Sequence, residues 1–313
     1  MKKKILICGA TGFIGRNLLE HFMHKDEYDI RAVWNNTIND DWVKDEVEWV
    51  RADLTKKEDV KKVMSGIDIV LNYAAFTTNI KDGIEKPYLF VTDNVIMNSL
   101  ILRYAYEFGV EHVILPSCTV MYEDFGKPIK ETDFKGFIDD DKMYFGGGST
   151  KVYSENMCKF YSKLGKTKYT VLRQTNIIGK YDKTDLDKAH FFSSIVQKVN
   201  DADKYIEVWG DGTEEKDLLS VNDLVNLIEI IIKKRRNSKF ELLNVASGDN
   251  MSISNIVKNI VEASGKNLDI RYDVTKPSRN IKTKFNISKV KNKYGWKPKM
   301  NLKEILDEIK KYK

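Results

Sequence analysis

The sequence predicts an α/β protein organised on a doubly wound parallel sheet, and three observations carry that prediction. Short apolar runs alternate with helical runs as far as about residue 175, the pattern of strands that return parallel to one another through helical crossovers. The first of these runs ends in a glycine turn, Gly9-Ala10-Thr11-Gly12-Phe13-Ile14-Gly15, which passes directly into an amphipathic stretch from Phe13 to Phe22. At 313 residues the chain has ample length for a large core, either as one α/β domain or as two closely packed ones.

The spacing G-x-x-G-x-x-G gives each glycine a task. Gly9 permits a tight turn, Gly12 lets the backbone approach a pyrophosphate, and Gly15 lets helix and strand pack closely. The helix start then offers free N–H groups and a positive dipole end to an anion. Glycine turns also serve packing alone; the position at the head of a βαβ unit selects the dinucleotide reading and a Rossmann-type doubly wound parallel sheet. The strands read Ile5–Cys8, Ile30–Trp34, Val47–Ala52, Ile67–Tyr73, His112–Pro116 and Tyr169–Gln174. In such a sheet ligands bind beyond the carboxyl ends of the strands, so the loop after each strand carries the functional information.

After the second strand, Trp34-Asn35-Asn36 stands where an acid would select the ribose hydroxyls of NAD and an arginine a 2′-phosphate. Neither is present; Asn35 or Asn36 can hydrogen-bond a ribose, and no cation is in place for a phosphate, which favours NAD. After the third strand, Asp53 offers a carboxylate either to an adenine amino group or, as an N-cap, to the helix starting near Lys56. After the fourth, Tyr73-Ala74-Ala75 supplies small-residue backbone for a cofactor to lie against. Asn94 sits in a helical pattern from Tyr88 to Phe108.

Composition sets the class. An apolar content of 42% with 31% charged residues describes a soluble globular protein, and the formal charge of +6 comes from scattered lysines. A solvated surface explains them better than a nucleic-acid site, which needs a concentrated basic face. Lys233-Lys234-Arg235-Arg236 reads as the basic end of a helix. The apolar run behind Lys2-Lys3-Lys4 stops at Gly9, too short for a signal peptide, and no run approaches the length of about eighteen residues that a membrane span needs. Cys8, Cys118 and Cys158 form neither a disulfide framework nor a metal-ligand spacing, so a cytoplasmic protein is expected.

An ordered set of motifs then carries a resemblance over nearly the whole chain. Gly-Ala-Thr-Gly-Phe-Ile-Gly, Ala52-Asp53-Leu54, Asn72-Tyr73-Ala74-Ala75, Ser117-Cys118-Thr119-Val120-Met121-Tyr122 and Arg173-Gln174-Thr175-Asn176-Ile177-Ile178-Gly179 are followed by Trp209-Gly210-Asp211-Gly212-Thr213, Lys216-Asp217, Val221-Asn222-Asp223-Leu224 and Gly295-Trp296-Lys297-Pro298. Together they resemble the extended short-chain dehydrogenase/reductases that modify nucleotide-linked sugars. The resemblance implies a dinucleotide-binding domain over 1–175, joined again by 217–250, and a smaller C-terminal substrate-binding α/β lobe from 176–216 and 251–313. It implies NAD held by Gly9, Thr11, Gly12, Phe13, Ile14, Gly15, Asn35, Asn36, Asp53, Leu54, Ala74, Ala75, Asn94, Lys151 and Gln174, and a nucleotide-sugar held by Asn176, His190, Lys216 and Arg279. The last group has a plainer alternative as surface ion pairs. Trp209 either stacks on a base or fills the core. Family members pair through two helices each, here Tyr88–Phe108 and Ser149–Leu164, so a homodimer or homotetramer is implied.

One departure is central. The family places Tyr-x-x-x-Lys on the helix after the fifth strand, the tyrosine exchanging a proton with the sugar hydroxyl. Here Lys151-Val152-Tyr153-Ser154-Glu155 supplies the lysine, but the tyrosine position is Gly147; a frame shift to Tyr153 meets Met157 instead of lysine. A positioned base contributes a factor of about 10² to 10⁴, and glycine supplies none. The candidates to replace it are Cys118, Thr119, Tyr144, His190 and ordered water. Within the family the resemblance is to enzymes of GDP-linked mannose, fucose or heptose derivatives, and the epimerising members' cysteine falls at Val120. The implied reaction is oxidation at C4 of a nucleotide-linked sugar, a GDP-manno-heptose or GDP-hexose, in surface polysaccharide synthesis; the alternatives are a GDP-4-keto-sugar reductase or epimerase, and a non-catalytic cofactor-binding scaffold.

Overall fold

The computed structural model describes residues 2–36, 38, 42–77, 86–139, 145–183, 190–234, 237–276, 282–299 and 301–311. The chain opens with β1 (Lys3–Cys8), α1 (Phe13–Met23), β2 (Tyr28–Trp34), β3 (Val47–Arg51), α2 (Lys57–Met64) and β4 (Ile69–Asn72). A 3₁₀ turn (Pro87–Phe90), α3 (Thr92–Glu107), β5 (His112–Cys118), α4 (Phe145–Tyr161) and β6 (Lys168–Gln174) follow. The run expected as one helix from Tyr88 therefore begins as a 3₁₀ turn with Pro87 at its start. Proline suits a first turn, where its missing N–H has no partner to lose.

These strands form a seven-stranded sheet in the order β10-β6-β5-β4-β1-β2-β3, its seventh strand being β10 (Phe240–Val245). The pairs β1–β2, β1–β4, β2–β3, β4–β5 and β5–β6 are parallel. The order reverses between β1 and β4, which is the switch point where such sheets open a crevice. Side chains alternate between the faces: Leu6, Cys8, Val70, Val113, Leu115 and Val171 join Val60, Met64, Ile101 and Leu102 of α2 and α3 in one core, while Ile5, Ile7, Leu71 and Ile114 are buried on the other face. Burial on both faces is what a parallel sheet requires.

The chain divides into two compact units, one of residues 1–121, 135–174 and 227–243, the other of 122–134, 175–226 and 244–313. The sequence reading takes 217–250 back to the first unit and leaves 122–134 there. In the structure 227–243 returns, and 122–134 belongs with the second unit, where the Tyr122 hydroxyl donates to Asn244 Oδ1 at 2.6 Å.

The second unit contains β7 (Asn176–Ile178), β9 (Glu215–Ser220) and β11 (Asn250–Ser252) in one small sheet, with β8 (Tyr205–Trp209) and β12 (Asp269–Asp273) in another. Its helices are α5 (Phe191–Asp201), α7 (Ile253–Ser264), α8 (Ser288–Tyr294) and α9 (Leu302–Lys311), and α6 (Val221–Lys233) leads back to the first unit. Ile305 and Leu306 of α9 are buried in a core shared with α5 and α7.

Candidate active site

The glycine turn takes the geometry its spacing demands. Gly9 has φ +74°, and a Cβ there would lie 2.8 Å from the backbone of Tyr73 and Ala74. A Cβ on Gly15 would overlap the carbonyl of Gly9. The loops after β1 and β4 are thus pressed together, and Tyr73 N–H donates to Cys8 O at 3.1 Å. Gly12 is the N-cap of α1 and makes no side-chain cap, and the first turn holds no acid. The N–H groups of Phe13, Ile14 and Gly15 open the helix with no upstream carbonyl to meet, which suits a diphosphate. Thr11 sits half-buried in the same turn. A backbone cradle that no side chain could enter fits a dinucleotide.

At the end of β2, Asn35 is half-buried and Asn36 exposed. A cation is present after all: Arg51, in register with Trp34 across β2–β3, donates from Nε to Asn35 O at 3.2 Å and lies 5.4 Å from the Trp34 ring. The strand pairing places it there, and sequence distance hid it. Asp53 is not the cap of α2, whose N-cap is Lys56. Its carboxylate accepts from Thr55 Oγ1 at 2.6 Å and from Thr55 N–H at 3.0 Å; the Thr55 hydroxyl holds it below the usual carboxylate range, so it stays an anionic acceptor. Leu54 turns its side chain into the core, which leaves only its backbone for a ligand. Asn94 is occupied otherwise than expected: its amide bonds Phe76 O at 2.9 Å and Phe90 O at 2.7 Å and accepts from Phe76 N–H at 3.0 Å. It fixes the loop beyond Ala74 and Ala75.

The carboxyl ends of β4, β5 and β6 gather the remaining candidates. Lys151, in the second turn of α4, donates from Nζ to Pro116 O at 3.3 Å. Burial lowers its pKa, with Cys118 and Glu155 resisting. Burial pushes the Cys118 thiol up, and the Lys151 charge opposes that shift. Thr119 donates to Gln174 O from N–H at 3.2 Å and from Oγ1 at 3.3 Å. Gln174 Nε2 in turn donates to the Tyr73 hydroxyl at 2.8 Å, a link the sequence reading missed because it joins β4 to β6 across the intervening strand. Buried Glu155 holds Arg173 through two bonds, at 2.9 and 2.7 Å, and so anchors α4 to β6.

Gly147 lies in a run of glycines packed closely against apolar side chains. A Cβ at 147 would stand 3.3 Å from the Phe90 ring, one at 146 would stand 3.0 Å from Val91, and one at 148 would meet Ile138 at 2.5 Å. The three glycines let Phe90, Val91 and Ile138 close on the first turn of α4. Tyr144 lies outside the described residues.

The second unit holds Asn176, His190 and Lys216; Arg279 lies outside the described residues. Asn176 donates to Asp217 O at 2.9 Å. Lys216 is paired with Glu214 and lies 5.8 Å from the Phe191 ring. His190 is the exposed N-cap of α5. Near it, burial raises the pKa of Asp182, which accepts from the Ser193 hydroxyl and is pulled the other way by that bond and by His190. Trp209 does not fill the core: it is 47% exposed, with Lys198 and Lys276 each 5.9 Å from its ring. Val120, at 46% exposure, offers no proton where the epimerising pattern has a cysteine. Among the described residues no cluster of acid, histidine and cysteine side chains is built to hold a metal, and no helix is long and apolar enough to cross a membrane.

Comparison with known proteins gives a consistent result. GDP-L-fucose synthase of Sinorhizobium fredii is 23% identical over 96% of this chain and 92% of its own. GDP-L-colitose synthase of Yersinia pseudotuberculosis is 22% identical over 99% of this chain and 97% of its own. The fold is shared with UDP-glucuronic acid 4-epimerase of Bacillus cereus, solved with UDP-glucuronic acid and NAD, at a TM-score of 0.85 and 21% identity over 99% of this chain and 98% of that one. The model of the NAD dependent epimerase/dehydratase family matches residues 5–246. With its glycine turn and parallel sheet, the chain belongs to the NAD dependent epimerase/dehydratase family of nucleotide-sugar-modifying enzymes.

Proposed function

We propose that the protein is an NAD-dependent sugar-nucleotide dehydrogenase that oxidises C4 of a nucleotide-linked sugar, a GDP-manno-heptose or GDP-hexose, in surface polysaccharide synthesis. One observation carries the reading: Lys151 donates to Pro116 O at the carboxyl edge of the sheet with Cys118 acting on its charge, while Gly147, at the position the resemblance gives to the tyrosine, has the Phe90 ring 3.3 Å from where a Cβ would be. Bound at the glycine turn, NAD supplies the hydride-accepting nicotinamide. What the chain must supply is an acceptor for the hydroxyl proton and a charge to stabilise the oxygen it leaves. Cys118, in its thiolate form, takes the proton and becomes the thiol, and Lys151 places positive charge beside the forming alkoxide. Thr119, its hydroxyl proton committed to Gln174 O, relays at most. Asn176, Lys216 and His190, with Arg279, hold the nucleotide-sugar, and Trp209 between two lysines suits a base. The GDP-linked preference rests on the likeness to the GDP-sugar enzymes.

A 4-keto reductase is the second reading, favoured by the same thiol: a group that burial keeps protonated is a better donor than acceptor near neutral pH. Incubating the protein with NAD and GDP-linked manno-sugars, and following ring protons by NMR, separates the readings. Loss of the C4 proton signal supports oxidation. Loss of the C5 proton signal supports epimerisation, and conversion of only a 4-keto substrate in the presence of NADH supports the reductase. No turnover despite cofactor binding supports the scaffold.

Helices α3 and α4 pack together, with Tyr106 and Tyr161 ring centroids 5.8 Å apart, and leave Tyr106, Phe108, Phe160 and Leu164 partly exposed. This apolar face supports a homodimer or homotetramer.

A further inference from the structure

We propose that the Tyr73 hydroxyl and the Gln174 carboxamide act as one unit that positions the carboxamide of the nicotinamide ring. The proposal rests on the dinucleotide reading of the first unit and adds to it the side chain of Tyr73, a residue the sequence reading used only as backbone.

The geometry begins at the backbone. Tyr73 N–H donates to Cys8 O at 3.1 Å, and its carbonyl lies 2.8 Å from where a Gly9 Cβ would be, so the residue is anchored against the phosphate turn. Its side chain lies on the face of the sheet that carries Leu71 and, across the register, Pro116. Pro116 pairs with Leu172 and Cys118 with Gln174. The phenol spans β5 to reach β6, where Gln174 Nε2 donates to its oxygen at 2.8 Å. Gln174 is 7% exposed, and its own carbonyl is held by Thr119. The residue is therefore fixed at its backbone carbonyl by Thr119 and at its side-chain Nε2 by the Tyr73 hydroxyl.

The hydrogen-bond inventory then leaves a specific remainder. A glutamine amide has an acceptor oxygen besides its two donor hydrogens, and a phenol has one proton to give. The bond between them uses an amide hydrogen and a phenol lone pair. Neither Gln174 Oε1 nor the Tyr73 proton has a partner among the described residues. Burial pushes the Tyr73 pKa up, so the phenol remains a donor across the accessible pH range. What stands at the edge is a donor beside an acceptor, fixed relative to each other. A primary carboxamide, with one carbonyl and one NH₂, is the complement of that pair, and the nicotinamide carries one. A phenol acting as base would need its pKa lowered, so Tyr73 does not replace the missing tyrosine; it orients the cofactor.

The test measures affinity rather than turnover. The dissociation constants of NAD and of ADP-ribose, which lacks the nicotinamide, are determined by calorimetry for the wild type, Tyr73→Phe and Gln174→Met. Loss of one net hydrogen bond weakens NAD about three- to tenfold in each variant, while ADP-ribose binds as in the wild type. The double variant loses less than the product of the two single effects, because Tyr73 acts through Gln174. NAD binding unchanged in Tyr73→Phe overturns the proposal, as does equal weakening of both ligands, which would mark the pair as support for the fold alone. Wild-type protein that binds neither ligand overturns the dinucleotide reading itself.

Discussion

Gly9 shows how little freedom the site leaves. Its φ is +74°, a region in which side-chain-bearing residues are strained, and a Cβ would press on the Ala74 backbone at 2.8 Å. Backbone on both sides cannot move without separating β1 from β4. Gly9→Ala is expected to lower stability by about 1–3 kcal/mol and to abolish NAD binding, which urea unfolding and calorimetry check. Cys118 makes the second prediction at this scale. An ordinary thiol titrates near about 8.5, and burial moves this one upward. A proton acceptor works only when deprotonated, so the rate of oxidation rises with pH and is still rising above the ordinary thiol range. Cys118→Ala removes that limb and lowers kcat by about 10² or more. A pH profile unchanged in the variant would transfer the role to Lys151 or water.

At the scale of elements, α4 is fastened by a buried charge pair. Arg173 and Glu155 are both buried, and the helix that carries Lys151 is fastened to β6 through them. Removing one partner of such a pair leaves an uncompensated buried charge. Glu155→Gln is expected to cost about 3–5 kcal/mol in a denaturant titration and to displace Lys151 with it. The Lys-x-x-x-Glu pattern is visible in the sequence, but its purpose is not, because the arginine comes from the following strand. The glycine turn and the first helix were readable because each rests on contacts between residues close in sequence. The hydrogen bonds that Asn94 and Asp53 make were not legible in the sequence. Phe90 and Thr55 are short-range partners and Phe76 lies 18 residues from Asn94, yet in each case which polar atom a carboxamide or carboxylate meets depends on side-chain direction.

At the scale of the molecule, acid stability has an identifiable source in the first unit. Glu229 on α6 suffers desolvation that would raise its pKa, but bonds from Lys233, Lys25 and His21 outweigh it and lower the value from 4.5 to about 2. A carboxylate whose folded pKa is depressed stabilises the fold above its unfolded pKa, and that contribution is lost as pH falls through the folded value. Stability should therefore decline between pH 4.5 and about 2, and Glu229→Gln should flatten that part of the curve in thermal melts. Assembly is tested by light scattering: a dimer or tetramer is expected at micromolar protein, with Phe160→Glu and Leu164→Glu together shifting it to monomer. A wild-type monomer would remove the proposed interface.

The chain's own pattern determined the parallel α/β sheet and the glycine cradle, since these are statements about periodicity and spacing, while the glycine at 147 in place of the family's tyrosine is what the resemblance implies. Only the tertiary structure decided that Arg51 stands beside Asn35, that Tyr73 reaches Gln174, that Phe90 closes on Gly147 and that 122–134 belongs to the second unit. Each of these depends on which strands become neighbours and on which face a side chain falls. Strand order in a doubly wound sheet is set by crossovers that bring distant segments together, so no local pattern records it.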